Sequence, residues 1–198
     1  MKEYFSEAFK DIRDFEEEIE DCRFVNCTFY GIDLSNADID SCVFEGCSFK
    51  FAQMNGSYSN KSQFLNCDFE GANLFAATFK NCKMTGSSFV SAEISAVEFV
   101  GGNYSFVCFA GVNLDKQDFS GLNLENADFT DASLVSANLQ NANLKRAIMR
   151  GANLTKAKLR DADITGATFV GVVFDKTEVD MNFAVALAES MGCKVLDI

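Results

Sequence analysis

The sequence predicts an all-β solenoid, a chain that turns a corner every five residues and stacks its turns around one continuous core. Three observations predict it. Every fifth residue from Ile19 to Phe174 is apolar or aromatic, Ser59 alone excepted. Two residues before these positions stands a small one in most units, with Cys22, Cys27, Cys42, Cys47, Cys67 and Cys82 early and alanine at every fifth residue from Ala127 to Ala167 later. Between small and large lies Asn or Asp in many units, as in Ala152-Asn153-Leu154 and Ala162-Asp163-Ile164.

Each part of the unit has a physical role. A period of five matches neither the 3.6 of an α-helix nor the 2.0 of a strand. It suits a unit with one large and one small side chain pointing inward and three residues facing water. Coils built this way bury a continuous core only by stacking on one another. Asn and Asp suit the corners because their short side chains bond nearby backbone groups.

Composition narrows the function classes. The 198 residues are 48% hydrophobic, enough for the core of one domain. There are 21 Phe but no Pro, Trp or His. Without His the usual general base and the commonest metal ligand are missing. No apolar run is long enough to span a membrane. The acidic N-terminus lacks an apolar signal core and the eight cysteines suit reduced thiols, so a cytoplasmic location is expected. A net charge of −12 opposes direct binding to nucleic acid and suits a basic partner.

The pattern A-(D/N)-L-x-x over residues 19–178 resembles the pentapeptide-repeat proteins. The resemblance implies a right-handed quadrilateral parallel β-helix, here of about eight coils of about twenty residues, closed by a short C-terminal α-helix. The expected organisation is an N-terminal cap over 1–18, the β-helix over 19–178, and a helix with its tail over 179–198. Asn55 to Ser62 is the weakest stretch of the repeat and the one place where the chain could bulge.

In the tail the period breaks. Met181 to Met191 places Phe183, Ala184, Leu187, Ala188 and Met191 on one helical face, with Gly192 as a stop. That face either caps the open end of the solenoid or forms a dimer contact. The run Val179, Ala184, Leu187-Ala188, Met191-Gly192 and Val195 resembles the C-terminus of the Qnr and MfpA proteins, which act on DNA gyrase. The start resembles them too, in Ile19-Glu20, Phe24, Asn26-Cys27, Phe29, Gly31 and Asp33-Leu34-Ser35. The resemblance implies a homodimer joined through the C-terminal helices, an acidic rod that mimics DNA. Its partner would be DNA gyrase or topoisomerase IV, either inhibited or protected from quinolones. The unbroken register is closer to the loop-free MfpA pattern.

With twenty residues per coil, positions twenty apart share a face. One face then collects Glu18, Glu20, Asp21, Asp38, Asp40, Glu98 and Asp118, the candidate partner-binding residues, and continues to Asp161, Glu178 and Asp180. Several of these precede the large residue, where turn chemistry alone could select an acid. Residues 132–160 hold no acid but carry Lys145, Arg146, Arg150, Lys156, Lys158 and Arg160, either a solvated patch or a site for an acidic partner.

Catalysis is not expected. The cysteines recur at twenty-residue spacing and would stack within disulfide or zinc-binding reach, yet they occupy the inward column that alanine fills later, so packing explains them. No nucleophile–base triad, phosphate-binding loop or dinucleotide fingerprint is present, and Gly101-Gly102 is read as a turn. No cofactor or metal is implied. The runner-up function is a protein-interaction scaffold with an unrelated partner.

Overall fold

In the computed structural model, residues 1–11 and 19–196 are described. The corners come first, because they define the coil. At every fifth residue, from Asn26, Gly31, Asn36 and Ser41 through to Lys176, the backbone turns through the left-handed region with φ of +53° to +63° at these five positions. Each such residue directly precedes the small inward position. Gly and Asn enter this region most readily, which is why they fill so many of the corners.

The chain divides into two compact units, Met1–Cys108 and Phe109–Ile198. Among the described residues of the first, nine short strands form two wholly parallel sheets. One sheet contains β1 (Lys2–Phe5), β3 (Cys22–Val25), β5 (Val43–Glu45) and β7 (Gln63–Leu65). The other contains β2 (Ile19–Glu20), β4 (Asp38–Asp40), β6 (Tyr58–Asn60), β8 (Thr78–Lys80) and β9 (Glu98–Val100). Every pairing joins residues twenty apart, as in Phe24↔Phe44 and Ile39↔Ser59. With a corner every five residues, each coil has four sides, as expected. In the second unit the same offset persists through single bridges, Asn113↔Ser133, Ser133↔Asn153 and Asn153↔Val173.

Three expectations change. The rungs already begin at Lys2, since β1 pairs with β3 at the common offset and Phe9 is buried, so these residues form a coil rather than a separate cap. Asn55 to Ser62 does not bulge, for β6 runs through it in register between β4 and β8. The longest described ladder, Glu3↔Arg23↔Val43↔Gln63↔Lys83↔Asn103, makes about five turns instead of about eight. The inward filling fails next to its last pairing. Gly102 has φ +99° and puts backbone where other coils put a side chain, so that a Cβ there would lie 2.0 Å from the carbonyl oxygen of Cys82. Gly101 is an ordinary corner, but Gly102 is more than a turn residue.

Stacked phenyl rings fill the first core. Phe24, Phe44 and Phe64 follow one another at 4.8 Å, and Phe29, Phe49, Phe69 and Phe89 at 4.7, 4.9 and 5.0 Å. These are the spacings of adjacent strands, so every coil adds one ring to each pile. Ser59 interrupts a column of large residues, and its buried hydroxyl has no hydrogen-bond partner. In the second unit the core is mostly Leu and Ala.

The cysteine column has its own chemistry. At most corners the small residue's N–H bonds the carbonyl three residues back, as in Ile32 to Phe29 at 3.2 Å and Ala132 to Phe129 at 3.0 Å. Corners carrying Cys22, Cys42, Cys47 or Cys67 show no such bond, which leaves a buried carbonyl to satisfy. The small residue of the next coil does so. Cys42 Sγ donates to Ile19 O at 3.1 Å, Cys47 Sγ to Phe24 O at 3.4 Å and Cys67 Sγ to Phe44 O at 3.4 Å. Ser62 and Ser87 accept from the open amide as well as donating, with Cys42 N–H to Ser62 Oγ at 3.1 Å and Cys67 N–H to Ser87 Oγ at 2.9 Å. Above the open corner at Cys82 stands Gly102, and there Tyr104 Oη donates to Phe79 O at 3.5 Å. Burial pushes the Cys42 and Cys82 thiols up to about 12, so they are protonated donors at neutral pH.

Candidate partner-binding surface

On the first unit, β2, β4 and β9 place Glu20, Asp38, Asp40 and Glu98 in one sheet. Its register sets Glu20 beside Asp40 and, two residues back along the strand, Asp38 beside Tyr58. Glu20, Asp38 and Glu98 are exposed and Asp40 half-buried, because alternate residues of a strand point outward while Ile19, Ile39 and Phe99 fill the core. Glu20, Asp38 and Asp40 line a shallow depression floored by Ile19 and Ile39 and edged by Tyr58.

Asp40 is held in a fixed orientation. It accepts hydrogen bonds from the Ser41 hydroxyl at 2.8 Å and from the Asn60 side-chain amide at 2.6 Å. These bonds hold its carboxyl below the usual range. Asp21 occupies a left-handed corner with φ +49° and is exposed at the margin of the face. Lys80 follows Asn60 in the same column and bounds the acidic run.

Other acids on the expected face serve the backbone. Asp118, on the second unit, accepts from the Ser120 N–H at 2.9 Å and from the Asn138 amide at 3.1 Å. Asp180 caps α1 (Met181–Ser190) through the Phe183 N–H at 2.8 Å and accepts from the Asp161 N–H at 2.6 Å. Asp118 is therefore selected by turn chemistry, whereas Asp38 and Glu98 lie in strands. Glu18 lies outside the described residues. The basic segment is partly neutralised within the second unit, with Lys145 3.1 Å from Asp163 and Arg146 paired with Glu125.

The C-terminal helix turns one apolar face toward the coil end. Phe183 is only 2% exposed and packs edge-on against Phe169 at 5.8 Å, which makes it the plug of the coil end. With Phe183 at their inner side, Ala184, Leu187, Ala188 and Met191 border an apolar groove with Phe174 and Val179, and Met191 is 74% exposed. Sequence reasoning missed Phe174 and Val179 here. Phe174 lies in the column of inward residues, but it sits at the end of the stack and is open to solvent.

Chemically, these surfaces offer carboxylates to cations and an apolar groove to an apolar face. Among the described residues no group of three or more His, Cys, Asp or Glu could hold a metal ion, and no helix is long and apolar enough to cross a membrane.

Comparison with known proteins agrees with the coil. A family model for a pentapeptide repeat region matches residues 72–147, and one for pentapeptide repeats matches 22–58 and 137–175. No curated protein sequence matches the chain. Among solved structures, a trypsin-treated form of QnrB1, a plasmid-mediated fluoroquinolone resistance protein, aligns with TM-score 0.59 and 20% identity over 98% of each chain. HetL, involved in heterocyst differentiation regulation in the cyanobacterium Nostoc, aligns with TM-score 0.35 and 19% identity over 89% of this chain and 84% of its own. A thylakoid-lumen protein of Arabidopsis thaliana aligns with TM-score 0.35 and 18% identity over 84% and 74%.

Proposed function

As the chain belongs to the pentapeptide-repeat family, whose solenoid presents surface rather than a catalytic cleft, we propose that it is a non-catalytic binding protein of the Qnr and MfpA type. It acts in the cytoplasm on DNA gyrase or topoisomerase IV. The carboxylates of Glu20, Asp38, Asp40 and Glu98 occupy the positions that duplex phosphates take on the enzyme, inhibiting it or shielding it from quinolone-like poisons. The observation that carries this is the single parallel sheet that presents these four acids on the outside of the first unit. A surface that binds duplex DNA is lined with Lys and Arg, and carboxylates displayed together on one sheet are its natural competitors. The alignment with QnrB1, a fluoroquinolone resistance protein, supports the same reading.

Two copies join through the apolar groove between α1 and the end of the coil. Met191 and Val179 there are too exposed and apolar to face water unaided. The second reading is a scaffold with an unrelated partner. It is favoured by the turn duty of Asp118 and Asp180, which removes two of the acids of the expected face on the second unit.

A supercoiling assay with purified protein separates the two. The topoisomerase reading expects inhibition that weakens at high salt and is lost when Glu20, Asp38 and Asp40 are changed to Lys. Absence of inhibition by the unaltered protein, or inhibition that survives the triple reversal, rejects it.

A further inference from the structure

We infer that the extended stretch Lys158-Leu159-Arg160 docks a second copy of this chain, whose Asp38-Ile39-Asp40 strand it matches charge for charge. The two stretches hold the same place in the repeat. In each, a buried large residue, Leu159 or Ile39, is flanked by two outward ones. Outward side chains two residues apart in extended backbone stand about 6.6 Å from one another. Two cations and two carboxylates at one spacing can therefore meet pair by pair when the two surfaces are laid together. Arg160 brings a planar N–H fork suited to a carboxylate, and Lys158 a compact ammonium. Asp40 is already held by Ser41 and Asn60, so it has little side-chain freedom left to lose on docking.

The basic stretch has its charges to spare. Lys145 and Arg146 are spent on Asp163 and Glu125. Lys156, Lys158 and Arg160 are all exposed and, among the described residues, form no ion pair. Glu178 adjoins Lys158 in the next rung without pairing to it. Asp180, one coil above Arg160, has both oxygens engaged, by the Asp161 and Phe183 N–H groups. Charge complementarity favours a short acidic stretch over a continuous polyanion. Nucleic acid laid on Lys158 and Arg160 would also press on Asp161, Glu178 and Asp180, and the net charge of −12 opposes it. Asp38 and Asp40 form a short stretch, bounded by Lys80 in the column of Asp40, and every copy carries it. The contact joins the first unit of one copy to the second unit of another, so it is separate from the groove beside α1. It covers the face that the topoisomerase reading uses, and a docked copy competes there, but the contact itself does not depend on that reading.

Sedimentation velocity of the full-length protein tests the contact at two salt concentrations. At about 0.1 M salt, screening within about 10 Å mutes the general repulsion between two acidic molecules but spares touching pairs. At about 1 M it reaches about 3 Å and mutes those pairs too. The mean mass should therefore be greater at the lower salt. Lys158→Asp with Arg160→Asp should weaken that association at least about tenfold, by setting like charges face to face, and Asp38→Lys with Asp40→Lys should do the same. Mixing the two double variants should restore it, because each surface then meets its opposite again. An unfolded variant could not rescue its partner, so the mixture separates lost contact from lost structure. Equal mass at both salts, association that survives Lys158→Asp with Arg160→Asp, or failure of the mixture to recover overturns the inference. Retention of duplex DNA by the unaltered protein, abolished by the same reversal, would assign the stretch to nucleic acid and overturn it as well. Supercoiling plays no part in these readings, so the topoisomerase reading can fail or stand independently.

Discussion

The thiol of Cys42 lies 3.1 Å from the carbonyl oxygen of Ile19, a residue of the coil beneath it, and donates to a group that its own corner leaves open. The early cysteines are thus bridging donors as well as filling. Replacing Cys42 by Ala should cost about 1–3 kcal/mol, the penalty of an unsatisfied buried carbonyl. Cys42→Ser, which keeps the donor as Ser62 does one coil later, should lie close to the unaltered protein in a urea melt.

Alkaline pH should expose the same chemistry. Cys42 and Cys82 are pushed by burial from 9.0 up to about 12. The unfolded chain therefore loses these protons first. Their contribution to stability is complete below pH 9.0 and disappears as pH rises toward about 12. Denaturant melts between these limits should show a falling midpoint, and a Cys42→Ser, Cys82→Ser double variant should show a flatter one.

Gly102→Ala should be among the most damaging single changes. Its Cβ would lie 2.0 Å from the backbone oxygen and 3.0 Å from the backbone nitrogen of Cys82, neither of which can swing aside as a side chain can. A loss of about 3 kcal/mol or more is expected in thermal unfolding, whereas Gly111→Ala, with open space around it, should lose far less.

The helix residues should divide by role. Phe183→Ala opens a hole at the coil end and should lower stability by about 3 kcal/mol. Met191→Asp and Leu187→Asp should leave the fold intact and yield monomers in sedimentation velocity. Unchanged mass for both would mean that the groove is not the joint between copies.

The large column and the places of the small one were legible because packing repeats at every unit, whereas the hydrogen bonds that Cys42, Cys47 and Cys67 donate to the coil beneath were not. The course of Asn55 to Ser62 was not, because Ser57, Ser59 and Ser62 look polar by type although the neighbouring coils bury all three. Among the acids, Asp38 and Asp118 occupy the same place in the repeat, yet one lies in a strand and the other clasps a turn. That distinction depends on whether the local corner is open or hydrogen-bonded, which residue type does not encode.

The four-cornered winding separates what the interior needs from what the exterior displays. Within a unit, adding a single five-residue module would preserve every layer of the core while rotating all later surface residues by a quarter turn. Lineages of such chains can thus re-aim a binding row by duplication or loss of one module, with no need to invent a new interior.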